Sequence, residues 1–351
     1  MADHVAFINV TRQCNVDCLR CYLTAENRAR KERLSLRTLE SFLNHHFWSD
    51  NQTVLIWEGG EATVVGQKIM REYCERARQI LPYARQTMVT NCFAVPDWLP
   101  DLANEFFGQQ VETTFALGKK ASLKGDEAAY RLQFARGLNK LWQAGIRCPV
   151  NIELNRETID AGVDALADFM LSTDCMAWEF DLSVNFESFR RRPEYAAGGV
   201  PILPLTVSYS EVWKFLAELE DRRGAELETA GISIGAFNQD PLTGNNQFNV
   251  ASEKRFLTLN PDGVVTTNPL YSDLEGTHLG SLADETMAEL LSNPNRARRV
   301  LAERRRAAMC SGCVHLDYCS GGPSHVPVFD GSGECAGGAA LWNRALQRSH
   351  A

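Results

Sequence analysis

Two spacings of apolar residues alternate along the first two thirds of the chain. Short apolar runs at 5–10, 54–57, 87–90, 111–117, 149–154 and 177–184 read as strands. Between them, 67–81, 97–107, 129–144 and 157–172 carry apolar residues at helical spacing. A further helix is predicted after Ser35, which is placed to cap it, with Leu36, Leu39, Phe42 and Leu43 on its apolar face. Strands that alternate with helices predict parallel βαβ units. Six such units predict an α/β fold, a partial (β/α)6 TIM-like barrel, with its chemistry at the carboxyl ends of the strands. From 185 the pattern is irregular, with Arg190, Arg191, Arg192, Pro193 and the pair Gly198 and Gly199. One helix follows at 209–223, with Val212, Phe215, Leu216 and Leu219 along a face. It reads as the last helix of the barrel, followed by a linker and a domain boundary near 235.

The candidate chemistry falls at the predicted strand ends. Cys14, Cys18 and Cys21, spaced C-x3-C-x2-C, follow the first strand. Thiolates are the ligands of iron–sulfur clusters, and three of them leave one iron of a cubane open to a non-protein ligand. A structural zinc site calls for a closed set of four ligands, and no His or fourth Cys stands close by. A disulfide framework fails on spacing and parity. Gly59, Gly60 and Glu61 end the second strand, and Thr90 and Asn91 end the third. A glycine pair admits close approach to the backbone and leaves carbonyls free to accept from a donor such as an ammonium. On the fifth strand Asn151, Glu153 and Asn155 share one face, which would line a cavity if it points inward. A second group, Cys310, Cys313, Cys319 and Cys335, has the spacing C-x2-C-x5-C-x15-C. From that spacing alone, structural zinc and a cluster are equally apt.

Composition narrows the picture. The 351 residues suffice for about two domains. With 44% hydrophobic and 23% charged residues, this is an ordinary globular composition. A net charge of −8 gives no footing for nucleic acid, and Arg304, Arg305 and Arg306 read as a solvated helix face. No stretch is long and apolar enough to span a bilayer. The N-terminus lacks a signal pattern, so a cytoplasmic location is expected. Eleven cysteines without a secretion signal point to metal rather than disulfides. Cys74, Cys92, Cys148 and Cys175 are scattered. Cys92, at a strand end, is either a packed thiol or a candidate to return a hydrogen atom.

The C-x3-C-x2-C loop after a first strand, with Gly59, Gly60 and Glu61 and then Thr90 and Asn91, resembles the radical S-adenosylmethionine (radical SAM) superfamily. The resemblance implies a [4Fe-4S] cluster on Cys14, Cys18 and Cys21 whose open iron chelates the amino and carboxylate groups of SAM. One electron then cleaves SAM to methionine and a 5′-deoxyadenosyl radical, which takes a hydrogen atom from the substrate. It places Gly59, Gly60 and Glu61 at the methionine half of SAM, Asn91 at its ribose or methionine, and Asn151 in the SAM or substrate cavity. The family's aromatic residue before the third cysteine is Arg20 here, and Tyr22 follows instead as the candidate adenine contact. Ala62 stands where the family has proline, and Cys92 where it has glycine. Ser122 to Gly125 resembles a segment found after the fourth strand in relatives.

Leu259, Asn260, Pro261, Asp262 and Gly263, then Thr277 to Gly280, then a helix at 284–292, resemble the C-terminal SPASM extension. The implied organisation is a radical SAM core at 1–235 and a small SPASM/twitch-like cluster-binding domain at 236–351. Cys310, Cys313, Cys319 and Cys335 match the positions that hold a second, auxiliary [4Fe-4S] cluster, with structural zinc as the alternative. A further auxiliary cluster is not expected: Asn268, Ala251 and Pro323 stand where its cysteines would be. The resemblance implies hydrogen abstraction from a peptide or amino-acid side chain, with an electron donor such as flavodoxin or ferredoxin. The first strand begins within the first few residues, so no leader-binding domain is expected, and a peptide substrate would be met directly or through a separate recognition protein. The alternative is a dehydrogenase, epimerase or decarboxylase acting on a sugar or nucleoside. A third reading is a non-catalytic, metal-stabilised binding module. Neither a nucleic-acid nor a membrane partner is expected. Asp181, Asp240, Asp262 and Asp273 are candidate proton acceptors, Asp262 also suiting a turn.

Overall fold

The computed structural model describes residues 4–18, 21–48, 52–117, 126–182, 207–237, 253–319, 321–322 and 326–349. Arg20, Ser122 to Gly125, the run from Arg190 to Pro193, Gly198, Gly199, Asp240, Ala251 and Pro323 lie outside the described residues. Along the chain come β1 (His4–Thr11), α1 (Ala25–Ala29), α2 (Leu36–Leu43), β2 (Thr53–Gly59), α3 (Gln67–Ile80), β3 (Arg85–Met88) and α4 (Leu99–Phe106). Then follow β4 (Thr113–Phe115), α5 (Glu127–Gln143), β5 (Val150–Leu154), α6 (Arg156–Leu171), β6 (Ala177–Leu182), α7 (Tyr209–Thr229) and β7 (Ser233–Ile234). The C-terminal third adds β8 (Phe256–Leu259), β9 (Val264–Thr266), β10 (Gly280–Ser281), α8 (Met287–Leu291), α9 (Pro294–Met309), α10 (Leu316–Cys319) and α11 (Ala339–Ser349).

Strands β1 to β3 pair in parallel in one sheet, and β4 to β7 in another. Isolated parallel bridges, Val89 to Glu112 and Gln110 to Arg147, join the segments leading into β4. The result is the expected open parallel α/β barrel, with helices outside. The outward faces carry the core: Ala6, Ile8 and Val10 from β1, Leu55 and Trp57 from β2, Ile152 and Leu154 from β5, Trp178 and Phe180 from β6 are all buried. Each such side chain contributes roughly 1.5–3 kcal/mol on burial. Ser35 accepts from Thr38 N and caps α2, as its position predicts.

Helix α7 is longer than the predicted 209–223: it runs on to Thr229, and the chain then returns to the sheet as β7 beside β6. In the C-terminal third, β8 adds to β1 in parallel, with Val5 opposite Phe256 and Ile8 opposite Leu259. β9 and β10 continue that sheet antiparallel, giving the order β10-β9-β8-β1-β2-β3. Strand β1 is thus the central strand shared by barrel and extension. The predicted helix at 284–292 is shorter, Met287–Leu291, held by a capping box of Thr286 and Glu289. Among the described residues no helix is long and apolar enough to cross a membrane.

Candidate active site and second cysteine site

The carboxyl ends of β1, β2 and β3 lie side by side because their strands are parallel and in register. This brings the cysteine loop, Gly59 to Glu61 and Thr90 to Asn91 together, as the sequence predicts. Register shifts between Asn9 and Thr11, opening the strand end into the loop. Cys14, Cys18 and Cys21 are all half-buried on that loop, and none is in a disulfide. Asn91 Nδ2 donates to Asn15 Oδ1 at 2.7 Å and reaches Cys14 Sγ at 3.8 Å. Asn91 therefore stands against the thiol loop.

The glycine pair has a different immediate use from the one its sequence suggests. A Cβ on Gly59 would meet Thr11 O at 2.1 Å, and one on Gly60 would meet Arg12 O at 2.3 Å and Gln13 O at 2.4 Å. What the missing side chains admit is the chain's own cysteine loop. Gly60 N donates to Thr11 O at 3.0 Å and Glu61 N to Gln13 O at 2.9 Å, stitching loop to strand. The Gly59 carbonyl accepts from Tyr22 Oη at 3.3 Å. Glu61 is buried, and its own chain engages both carboxylate oxygens: Oε1 accepts from Thr63 N, Thr63 Oγ1 and Thr90 Oγ1, and Oε2 from Asn91 N at 2.7 Å. Burial pushes its pKa up while those four donors pull the other way. Glu61 thus buckles the end of β2 to the end of β3.

Two arginines that the sequence reading passed over hold the loop. Arg28 donates to Leu23 O at 2.8 Å, pairs with Asp17 and hydrogen-bonds Cys21. Arg12, its side chain 4% exposed, pairs with Asp262 at 2.8 Å, with Glu32 at 3.7 Å and with Asp273 at 3.8 Å. Asp273 Oδ2 also accepts from Thr24 N at 2.8 Å. Two of the candidate proton acceptors are therefore structural pairs between extension and loop. Asp262 is the turn residue its motif predicts, its Oδ1 accepting from Val264 N, and an ion-pair partner besides. Neither arginine sits at a motif position; Arg12 gives a signal only as a charge between the apolar first strand and the first cysteine.

Inside the barrel, β5 and β6 present a polar face. Asn151 lies opposite Glu179, and Glu153 opposite Asp181. Asn151 Nδ2 donates to Asp181 Oδ2 at 2.6 Å. Asn155 does not continue this face: its side chain accepts from Thr158 N and caps α6. Glu58 and Glu112 add carboxyls from β2 and from the segment before β4. Burial, then Glu112, raises Glu58 to about 8. Burial, then Asp181, raises Glu179 to about 7. One carboxylate oxygen of each is shut off from solvent without a hydrogen-bond partner. Carboxyls poised near neutrality suit proton acceptance. The alternation of Trp178, Phe180 and Leu182 with Glu179 and Asp181 is a signal that could have found Glu179 beforehand.

Cys92 is buried with its Sγ 3.8 Å from Cys148 Sγ, packed in the core rather than at the barrel mouth. Cys175 is buried beside them, its Sγ toward the Cys148 carbonyl at 3.5 Å.

Cys310, Cys313, Cys319 and Cys335 line a small apolar cavity of about 20 Å³, walled by Leu316, Val328 and Trp342. Gly337 stands close to the site: a Cβ there would lie 2.2 Å from Cys319 Sγ, so that thiol would have to turn away. Arg306 corrects the reading of its run as solvated. It is buried and donates to Gly321 O at 2.8 Å and to Val326 O, tying the two sides of the cavity, while Arg304 and Arg305 are exposed. Trp213 of α7 donates to Cys335 O at 2.9 Å, and Tyr209 Oη to Pro327 O at 2.7 Å, docking this site on the barrel's last helix. Where the sequence lacks a further cysteine, Asn268 accepts from Leu270 N and caps a 3-10 turn.

Both sites fit iron–sulfur ligation by their donors. Burial pushes the Cys14 thiol up to about 12, and Cys319 up to about 11. Such thiols stay protonated unless a cationic centre stabilises the thiolate. No three His, Cys, Asp or Glu side chains among the described residues are gathered tightly enough to hold a single metal ion.

No protein-family model matches the sequence, and no curated protein matches it. Solved structures do match. One is anSMEcpe, an anaerobic sulfatase maturating enzyme, with bound AdoMet: TM-score 0.73 at 16% identity, over 99% of this chain and 96% of that one. Another holds the same enzyme with AdoMet and the Kp18Cys peptide: TM-score 0.72 at 16% identity, over 99% and 97%. Streptococcus suis SuiB bound to its precursor peptide SuiA gives a TM-score of 0.64 at 12% identity, over 94% of this chain and 75% of that one. The chain has the fold of radical SAM enzymes that carry a SPASM/twitch-type extension.

Proposed function

We propose that this protein is a radical SAM enzyme that removes a hydrogen atom from a peptide or amino-acid side chain. The observation that carries the reading is the loop of three half-buried thiols at the carboxyl end of β1, faced by Asn91 and the Gly59–Gly60 turn. Bound on Cys14, Cys18 and Cys21, a [4Fe-4S] cluster with SAM supplies a 5′-deoxyadenosyl radical. The chain's own residues position and protect. Tyr22 stays half-buried against Gly59 O at the rim of the site, and Asn91 holds the loop through Asn15. Asn151 and Asp181 face the barrel interior, where Glu179, raised to about 7, would take the proton released when a substrate is oxidised.

In this reading residues 1–235 are the core and 236–351 the extension. The four thiols would hold a second [4Fe-4S] cluster, with structural zinc as the alternative that iron and sulfide counting excludes or supports. The peptide class is favoured because the similar folds of anSMEcpe and SuiB are seen with peptides bound. A flavodoxin- or ferredoxin-type donor would supply the electron, and a separate recognition protein is one route for presenting a peptide.

The test is anaerobic reconstitution followed by iron and sulfide counting and assay with dithionite. About eight irons per chain and release of 5′-deoxyadenosine are expected, following from two four-iron cubanes. Cys14→Ala, Cys18→Ala and Cys21→Ala combined should leave about four irons and no release. Release unchanged by that triple substitution would refute the assignment.

A further inference from the structure

We propose that Asp273, in the extension, is a positioning residue for the cysteine loop: it clamps the loop's two feet to each other. The inference rests on the radical SAM reading given above. Arg12 lies two residues before Cys14, and Thr24 three residues after Cys21. Asp273 meets both. Its Oδ2 accepts from Thr24 N at 2.8 Å, and its Oδ1 lies 3.8 Å from Arg12 Nε. The Asp273 side chain is 2% exposed and that of Arg12 4%. A buried carboxylate is tolerated only with charge and hydrogen-bond compensation, to which the Thr24 N–H contributes a hydrogen bond and Arg12 a facing charge. Asp262 then takes Arg12 Nη1 from the same side at 2.8 Å.

The segment that presents Asp273 is itself fixed. Asn268 caps the turn before it, Arg299 stacks over Tyr271 at 3.6 Å, and His278 Nε2 sits 3.1 Å from Ser272 O. Ser272 Oγ accepts from Asn9 of β1 at 3.2 Å, so the clamp is anchored on the strand that feeds the loop. Asn268 stands where the resemblance expects a cluster cysteine. This part of the extension therefore serves the first site through hydrogen bonds instead of holding metal of its own. Partners that orient metal ligands from outside carry about 10–100-fold in affinity or activity when lost.

The test compares Asp273→Ala, Asp273→Asn and Arg344→Ala. Arg344 pairs with Glu220 and Asp221 at the other front, where the extension docks on α7, and controls for loosened docking in general. Amide exchange at Thr24 is read by mass spectrometry in the folded chain, before and after cluster loading. Asp273→Ala should speed it about tenfold or more, in line with loss of a local hydrogen bond. Asp273→Asn, which keeps an acceptor but loses the charge facing Arg12, should fall between. In reconstituted enzyme, KM for SAM should rise about tenfold with a smaller change in kcat, and the SAM-induced change in the cluster's EPR spectrum should weaken. Arg344→Ala should move none of these. The clamp is overturned if both Asp273 variants keep parental Thr24 exchange, or if Arg344→Ala matches them. A parent that never releases 5′-deoxyadenosine sinks the functional reading alone, while Thr24 exchange still decides the clamp.

Discussion

Cys14, Cys18 and Cys21 reach their site from a single loop, whereas the C-terminal four come from the end of a helix, a turn, α10 and the hairpin that pairs Phe329 with Cys335. The first group is half-buried and held from outside by polar contacts: Arg12, Arg28, Asn91 and the backbone stitches to Gly60 and Glu61. The second lines a small apolar cavity beside Trp342, with Cys319 buried, Cys310 and Cys335 half-buried and Cys313 exposed, and Arg306 ties its two sides through carbonyl contacts. The first loop is thus held by polar ties, the second set by an apolar wall. Spacing alone does not separate the two cases; their surroundings do.

The sharpest way to break the contrast is Gly60→Ala. Its new Cβ would press on two backbone carbonyls of the cysteine loop, which have no flexible end to yield. Overpacking of this kind costs about 1–3 kcal/mol or more. Iron counting should show the first site's metal lost and the second's retained, with SAM cleavage abolished. Gly337→Ala is the reciprocal probe and a milder one, because the atom it meets is the Cys319 thiol, which can rotate. It should lower iron at the second site while SAM cleavage persists near the parental rate. If Gly337→Ala silences cleavage instead, the two sites are not separable.

A smaller effect tests the barrel interior. Glu58 is raised from 4.5 to about 8 on folding, mainly by burial. The folded state then binds more protons than the unfolded one between those values, so stability falls as pH rises through that window. Glu58→Gln removes the term. In denaturant titrations it should match the parent near pH 4 and exceed it at pH 9, by up to a few kcal/mol at about 1.4 per pKa unit. Equal pH profiles would mean that Glu58 is not held in a dry site.

Much of this was legible in the sequence. The βα alternation predicts β1 to β6 closely, because buried parallel strands and amphipathic helices carry distinct periods. The gathering of the cysteine loop, Gly59 to Glu61 and Asn91 at adjoining strand ends follows from parallel order alone. What was not legible depends on contacts distant in sequence. Arg306 reads as one of three surface arginines until Gly321 and Val326 fold over it. The second role of Asp262 needs Arg12, which lies 250 positions away. β7 was missed because two residues are too few for a period, and the pairing of β8 with β1 because nothing local encodes a partner.

That pairing has a consequence for the order in which the molecule is made. Asn9 and its partner Asn260 are separated by 251 positions. At about 5–20 residues per second, a ribosome needs on the order of ten to fifty seconds to bring the second into being. Until then the opening strand has a neighbour on one edge only, and its thiol loop lacks the ties of Arg12 and Thr24 to Asp262 and Asp273. In the radical SAM reading, a motif that emerges among the first would be loaded only once synthesis is nearly done.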